Sequence, residues 1–298
     1  MRRDAIFLTA AFVLAILFPT QALADLSQKE ARKVIRTMSG WSLPGDSVRI
    51  RSFRANGSES AEATAEIEMV FRSRLSEGQW QLRELRTGAD RWERLEMLAR
   101  AAKVELPAGE CDAPSQFARA KSATDLTTKR ARCLVANLFG VALPSDDVRI
   151  KEVSPFGLSL GSEPSALVVA LVQADFRFVR DARGWQVAGV KSGNRDWVNV
   201  NGLPAAMDEL KLSAANDELS TIAKALGDFR RERGYFVVSD KESVLIDHLS
   251  PRYLTRVIRV DPWHRPYQYE GQQDRYSLRS LGPDGKLNTP DDIVVSGP

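Results

Sequence analysis

The feature that most constrains this chain is that its front part is written twice. Leu43-Pro44-Gly45-Asp46-Ser47-Val48-Arg49-Ile50 returns as Leu143-Pro144-Ser145-Asp146-Asp147-Val148-Arg149-Ile150, an offset of 100, and Trp80, Gly88 and Trp92 return as Trp185, Gly193 and Trp197, an offset of 105. The difference between the two offsets fits a longer loop near residues 161–165. In the first copy Ala61, Ala63, Ala65, Ile67, Met69 and Phe71 alternate with mostly polar residues such as Glu62, Thr64, Glu66, Glu68 and Arg72. That period of two is the mark of a half-buried strand. Ala166, Val168, Ala170, Val172, Ala174 and Phe176 hold the same phase in the second copy.

Each copy therefore predicts an amphipathic helix (28–38 or 126–139), a Val-Arg-Ile strand, a long strand, and a last strand through Trp80 or Trp185 after a Gly-containing turn. Such a unit is α+β and has about 80 to 100 residues, an ordinary domain size. The assignment is residues 25–108 for the first repeat, 109–204 for the second and 210–298 for a different C-terminal domain. Two copies can pack as one domain or stand as two. The matched Trp residues read as shared core in preference to a ligand platform.

Residues 1–24 read as a Sec-type export signal: Arg2 and Arg3 precede an apolar stretch over 5–18, and Ala22-Leu23-Ala24 offers a small-x-small cleavage site before Asp25. The apolar stretch is short for a bilayer span, which needs about 20 residues, so an uncleaved anchor is the lesser reading. Nothing later is long and apolar enough to span. The mature protein is expected to have no membrane span and to be periplasmic or secreted. In an oxidising compartment Cys111 and Cys133 are expected to form a structural disulfide, worth about 3 kcal/mol for a loop of this size; two buried free thiols are the alternative. The two Cys and two His, at 111, 133, 248 and 264, fit none of the usual zinc spacings. With 42 Lys and Arg against 39 Asp and Glu, a net charge of +3 and no dense basic block, a nucleic-acid partner is not expected.

From Ser213 the pattern changes. Leu219, Ile222, Ala223, Leu226 and Phe229 lie on one face of a helix expected over 213–233, with Arg230, Arg231 and Arg233 in its last turn before Gly234. Tyr267-Gln268-Tyr269 and Arg275-Tyr276-Ser277-Leu278 flank a Gly-containing turn and predict an antiparallel hairpin. Beyond it, Asp284, Asp291 and Asp292 place three carboxylates within nine residues, with Gly285, Asn288 and Pro290 favouring a loop between them. Three carboxylates and inward carbonyls offer the six or so hard oxygens that Ca2+ selects. An EF-hand is excluded, because Lys286 and Val295 fall where Asp or Asn and Glu are required.

The ordered segments Asp261-Pro262-Trp263-His264-Arg265-Pro266-Tyr267-Gln268-Tyr269, Ser280-Leu281-Gly282-Pro283-Asp284-Gly285 and Asp291-Asp292-Ile293 resemble the globular domain of the major, G-type pseudopilin of type II secretion systems. The resemblance covers roughly 213–298. It implies a half-helix packed on a small antiparallel sheet, with Ca2+ holding a C-terminal loop. Carried over residue by residue, the ligands are the carboxylates of Asp284, Asp291 and Asp292 with oxygens from Leu281, Lys286 and Thr289. Two departures stand out. Pseudopilins open with a short basic leader and a long apolar helix, where this chain has a Sec-like signal and two repeats, so an ordinary filament subunit is not expected. The family's Gly-Asn between Trp and Pro is His264-Arg265 here, and its Pro after the helix-ending Tyr is Phe236.

No G-x-S-x-G, phosphate loop or H-E-x-x-H is present, and the imidazoles His248 and His264 have no nucleophile setting nearby, so no catalytic residues are assigned and the chain is read as a non-enzyme. The favoured reading is an exported structural or adaptor protein with a calcium-binding pseudopilin-like domain. Its expected partners are proteins of the cell envelope, pseudopilins or other secretion components. The alternative is a module whose repeats hold a small ligand or peptide, with the C-terminal domain as a stabilised cap.

Overall fold

A computed structural model describes residues 26–107, 111, 126–156 and 164–298. The expected export signal, residues 1–24, lies outside them, as do residues 161–163 of the loop expected to lengthen the second copy.

Each copy opens with a helix that starts on a hydroxyl. The Ser27 side chain accepts from Glu30 N–H ahead of α1 (Gln28–Arg36), and Thr127 accepts from Arg130 N–H ahead of α3 (Thr128–Phe139), both at 3.2 Å. Ala31 and Ile35 of α1, and Ala131 and Val135 of α3, are buried against the sheet. The first copy continues through β1 (Val48–Ala55), β2 (Ser60–Ser76), β3 (Gln79–Arg86), β4 (Trp92–Arg94) and α2 (Leu95–Ala102). The second supplies β5 (Val148–Phe156), β6 (Ser165–Asp181), β7 (Gly184–Lys191) and β8 (Val198–Asn199).

All eight strands form one sheet, ordered β4-β3-β2-β6-β7-β8, with β1 and β5 alongside the remaining halves of β2 and β6. The two long strands run antiparallel from the Ser60↔Val179 pair to the Arg74↔Ser165 pair. Ile67 faces Val172, its own counterpart 105 positions on; Ala63 faces Phe176 while Phe71 faces Val168. Exchanging the copies thus reproduces the pairing, which places a pseudo-two-fold axis between Ile67 and Val172. This is the self-complementary arrangement of a two-fold dimer, here within one chain. Irregularities obey it too: register shifts occur at Ile50/Ser52 and Ile150/Glu152, and again at Arg72/Ser73 and Arg177/Phe178. The Arg32 guanidinium donates to Gly45 O and that of Arg132 to Ser145 O.

The two copies share one hydrophobic core, in which the inward residues of β2 and β6 meet α1 and α3. The outward face is charged. Glu66 accepts from Arg51 of its own copy at 2.8 Å and from Arg149 of the other, and Lys151 reaches Glu68 at 2.5 Å. Of the matched Trp residues, Trp80 is buried in this core and Trp185 half-buried against it, whereas Trp92 and Trp197 are half-buried under the Arg72 and Arg177 guanidinium groups, so shared core holds for the first pair and not for the second. Cys111 and Cys133 are joined as a disulfide with their Cα atoms 5.6 Å apart.

The third helix region corrects the sequence expectation. α4 runs from Leu203 to Arg233, beginning ten residues before Ser213, and ends on left-handed Gly234. Pro204 sits in the first turn, where its missing N–H leaves no intrahelical bond unmade. Residues 200–207 are the 105-offset counterpart of α2, so the opening of α4 is the second copy's version of that helix. In the first copy the helix stops at left-handed Lys103; in the second it runs on. The buried face of this stretch carries Lys211 and Glu218 among its apolar residues, which hides its periodicity.

Beyond Gly234 come α5 (Glu242–Leu249) and a three-stranded antiparallel sheet of β9 (Gln268–Gly271), β10 (Tyr276–Ser280) and β11 (Ile293–Gly297), ordered β11-β10-β9. β9 and β10 are the expected hairpin; β11 adds a third strand. Leu219, Ile222, Leu226 and Phe229 of α4 pack here on Leu245, Tyr269 and Leu278 in a second core. A small third cluster of Met97, Leu203 and Met207 lies where α2 meets α4.

Candidate functional site

The carboxylates singled out in the sequence lie in the loop between β10 and β11. Antiparallel pairing sets Ser280 opposite Ile293, so Leu281 and Asp292, the two ends of the loop, come side by side. Gly282 makes the closure feasible: at φ 58° any Cβ would stand 2.1 Å from Asp291 O. Within the loop, Asp284 N–H donates to Asp291 Oδ2 at 2.9 Å, and Asp284 Oδ1 accepts from Lys286 N–H at 2.7 Å. Thr289 Oγ1–H bridges Lys286 O at 3.0 Å and Asp284 Oδ1 at 3.3 Å. The backbone N–H of Asp284 holds the Asp291 carboxyl below the usual carboxylate range, helped by the Thr289 hydroxyl.

Asp292 is the most enclosed of the three. Its Oδ2 accepts from Asn288 N–H and Arg279 Nη1–H, each at 2.9 Å, while its buried Oδ1 has no partner. An orphaned buried carboxylate oxygen in a loop that carries two further carboxylates is the donor chemistry a hard, oxygen-ligated cation takes. The Leu281, Lys286 and Thr289 carbonyls each accept one internal bond, from Gly285 N–H, Thr289 Oγ1–H and Asp292 N–H, which leaves each a second lone pair. Among the described residues no set of three or more His, Cys, Asp or Glu side chains converges as a metal cluster. The residues present fit Ca2+ by donor chemistry, with the carboxylates closed onto the loop's own N–H groups.

The loop is braced by residues that sequence reasoning did not assign to it. Asp261, fully buried, accepts from Trp263 N–H and Arg265 N–H through Oδ1, at 3.0 and 2.9 Å, and from Ser280 Oγ–H through Oδ2 at 2.7 Å. Arg265 donates to Gly282 O and, at 3.0 Å, to Pro283 O. Of the three segments that carry the pseudopilin resemblance, the first two thus touch through Asp261 and Arg265, and the second meets the third through the Asp284 N–H bond to Asp291 and the Ser280↔Ile293 pair.

His264, where the family has Gly, takes φ 65°, in the left-handed region that disfavours side chains. Its Nε2–H donates to Trp92 O of β4 at 2.9 Å, with Glu84 Oε1 at 3.9 Å. His248 Nδ1–H donates to Val244 O at 2.8 Å. Among the described residues neither imidazole hydrogen-bonds to a Ser, Thr or Cys side chain.

β4 is tied to the C-terminal domain at every residue. Besides Trp92 O, Glu93 Oε2 lies 2.6 Å from Lys211 Nζ, both side chains nearly buried, and Arg94 Nη2 lies 3.6 Å from Glu218 Oε1. Glu218 also accepts from Arg256 at 3.1 Å and from the Tyr267 hydroxyl at 2.7 Å. Burial, and then the Glu218 charge, push the Tyr267 hydroxyl far above the ordinary phenol range. The one sequence signal for this junction was a Lys and a Glu seven apart on a single helix face.

A helix packed on a small antiparallel sheet with a braced C-terminal loop defines a pilin-like α+β domain. Residues 203–296 match the family model for Type II secretion system (T2SS), protein G, beginning where α4 begins. The C-terminal region is therefore a type II secretion pseudopilin-like domain, and the match does not extend over the repeats. No curated protein and no solved structure matches the chain. No helix among the described residues is long and apolar enough to cross a membrane.

Proposed function

We propose that this protein is an exported, non-enzymatic adaptor whose pseudopilin-like domain joins a secretion or pilus-like assembly of the cell envelope while the duplicated sheet carries it. The observation that supports this most is the family match over 203–296, taken with the course of α4. The first turns of α4 pack on α2 and are pinned by Glu93–Lys211, so this helix is occupied by the repeats and is not a free stem for a filament core. The domain meets its partners through its outer surface, where Val238, Leu287 and Val294 are exposed. The test is a photo-crosslinker at each of these three positions in living cells. Crosslinked products containing a pseudopilin or another secretion component are expected; their absence at all three positions, with the protein exported and folded, overturns the proposal.

We read the β10–β11 loop as a Ca2+ site held by Asp284, Asp291 and Asp292 with carbonyl oxygens of Leu281, Lys286 and Thr289. The ion would supply a cross-link between the two ends of the loop. The unpartnered Asp292 Oδ1 supports this assignment. Calorimetric titration of Ca2+ into chelator-stripped protein should show one site and a raised melting temperature, both lost in an Asp284→Ala, Asp292→Ala double variant. No binding up to about 10 mM, beyond the weakest extracellular sites, overturns it.

A further inference from the structure

Over the pseudo-two-fold axis the described residues leave the helix side of the sheet unfilled. A cavity of about 540 Å³ lies there, lined by the axial pair Ile67 and Val172 and, as matched walls from the two copies, by Met38 with Leu138 and Leu98 with Leu203. That volume is within the range of about 300–1,000 Å³ typical of small-molecule sites, and its lining is predominantly apolar, as in such sites. Duplication accounts for the void: two equivalent walls meet across an axis that has no side chain of its own to occupy it.

The charged residues at the rim break the symmetry. Arg195 borders the cavity, and its counterpart 105 residues earlier is Asp90, which does not. Gly140 and Gly193 let the Arg195 turn close on the end of α3; a Cβ at Gly140 would lie 2.5 Å from Asn194 Oδ1 and 2.8 Å from Arg195 Cγ. Arg195 Nη2–H donates to Asn137 O at 3.0 Å, its Nε–H is buried without a partner, and it makes no ion pair among the described residues. Lys103, Glu105 and Asp196 border the same cavity but are exposed to water. The apolar chamber thus has one half-buried cation with donor capacity to spare at its rim.

We infer that this cavity binds a small amphipathic acid, with a hydrocarbon body along the axis and a carboxylate accepting from Arg195. A charge-assisted contact to a guanidinium is the strong kind of hydrogen bond; Arg195 Nε is closed off against Gly140, so the carboxylate would take the N–H groups of Nη1, which makes no hydrogen bond among the described residues. The inference rests on the repeats alone and is independent of the role of the C-terminal domain.

The test titrates laurate, with dodecanol as the uncharged control, into the full mature chain stripped of bound lipid. Binding is followed by tryptophan fluorescence, since Trp41 and Trp197 line the cavity, and stoichiometry by native mass spectrometry. One equivalent of each probe should bind. Arg195→Gln should weaken laurate about tenfold or more, the loss of one hydrogen bond to a charged group, and leave dodecanol within about twofold. Ala174→Phe, from the sheet floor, and Leu98→Trp, from α2, should fill the space and abolish both. If neither filled variant melts cooperatively, the Arg195→Gln comparison decides alone. Absence of saturable binding, binding of several equivalents that a folded filled variant retains, or equal effects of Arg195→Gln on both probes would overturn the inference.

Discussion

The contacts of β4 show how much a three-residue strand can fix when each residue has a separate partner. Lys211 and Glu93 are the most enclosed ion pair at the junction, and removing one member leaves the other buried and uncompensated. Lys211→Met should therefore destabilise the protein by about 3–5 kcal/mol, whereas adding Glu93→Leu should recover most of the loss; urea unfolding of wild type, both single variants and the pair measures it. Gly282→Ala makes the corresponding test in the loop, forcing a Cβ against Asp291 O at a positive φ. A loss of about 1–3 kcal/mol, read as a lower melting temperature with the repeats still folded, is expected. What could be read in advance at this scale follows sequence distance. Asp284, Asp291 and Asp292 were visible because they are neighbours in the chain. Asp261, Arg265 and Arg279 reach the same loop only through turn geometry and strand register, which no local pattern displays.

Among the elements, α4 decides how the molecule is joined. At about 1.5 Å per residue, its 31 residues span roughly 46 Å from the repeat sheet to Gly234 without a break. Its second half was legible from the spacing of Leu219, Ile222, Leu226 and Phe229, because an apolar core faces all of them. Its first half was not, because Lys211 and Glu218 on the buried side find partners in another domain and so imitate a solvated face. Asn216 is exposed midway, and Asn216→Pro would remove its bond to Leu212 O and clash with the preceding turn, at a cost of about 3 kcal/mol. Hydrogen exchange should then quicken on both sides of residue 216 while β2 and β6 keep their protection. Equal loss of protection in the repeat sheet would show instead that α4 is needed for the sheet itself.

At the scale of the whole molecule the two copies are held by their long strands and by carboxylates shared across the join. Burial tends to raise the Glu66 pKa, but its hydrogen bonds to Arg51 and Arg149 outweigh this and lower it. A carboxyl depressed in the folded state contributes stability that is complete above its unfolded pKa and lost as pH falls through the folded value. Glu66→Gln should therefore lower the melting temperature near neutrality, and the difference from wild type should vanish on acidification below the carboxylate range. A difference that persists in acid would mean that Glu66 acts through packing. The duplication was plain in the sequence, and so was the phase of its strands; that the copies share one sheet was not, because β2↔β6 register is a relation between segments about a hundred residues apart. Pairing of Ile67 with its own counterpart Val172 has a further consequence. In an assembly of two identical chains every substitution lands twice, once on each side of the axis. Covalent fusion lets each side change alone, which is how one helix can stop at Lys103 while its twin runs on to Arg233, and how an aspartate on one side can answer to an arginine on the other.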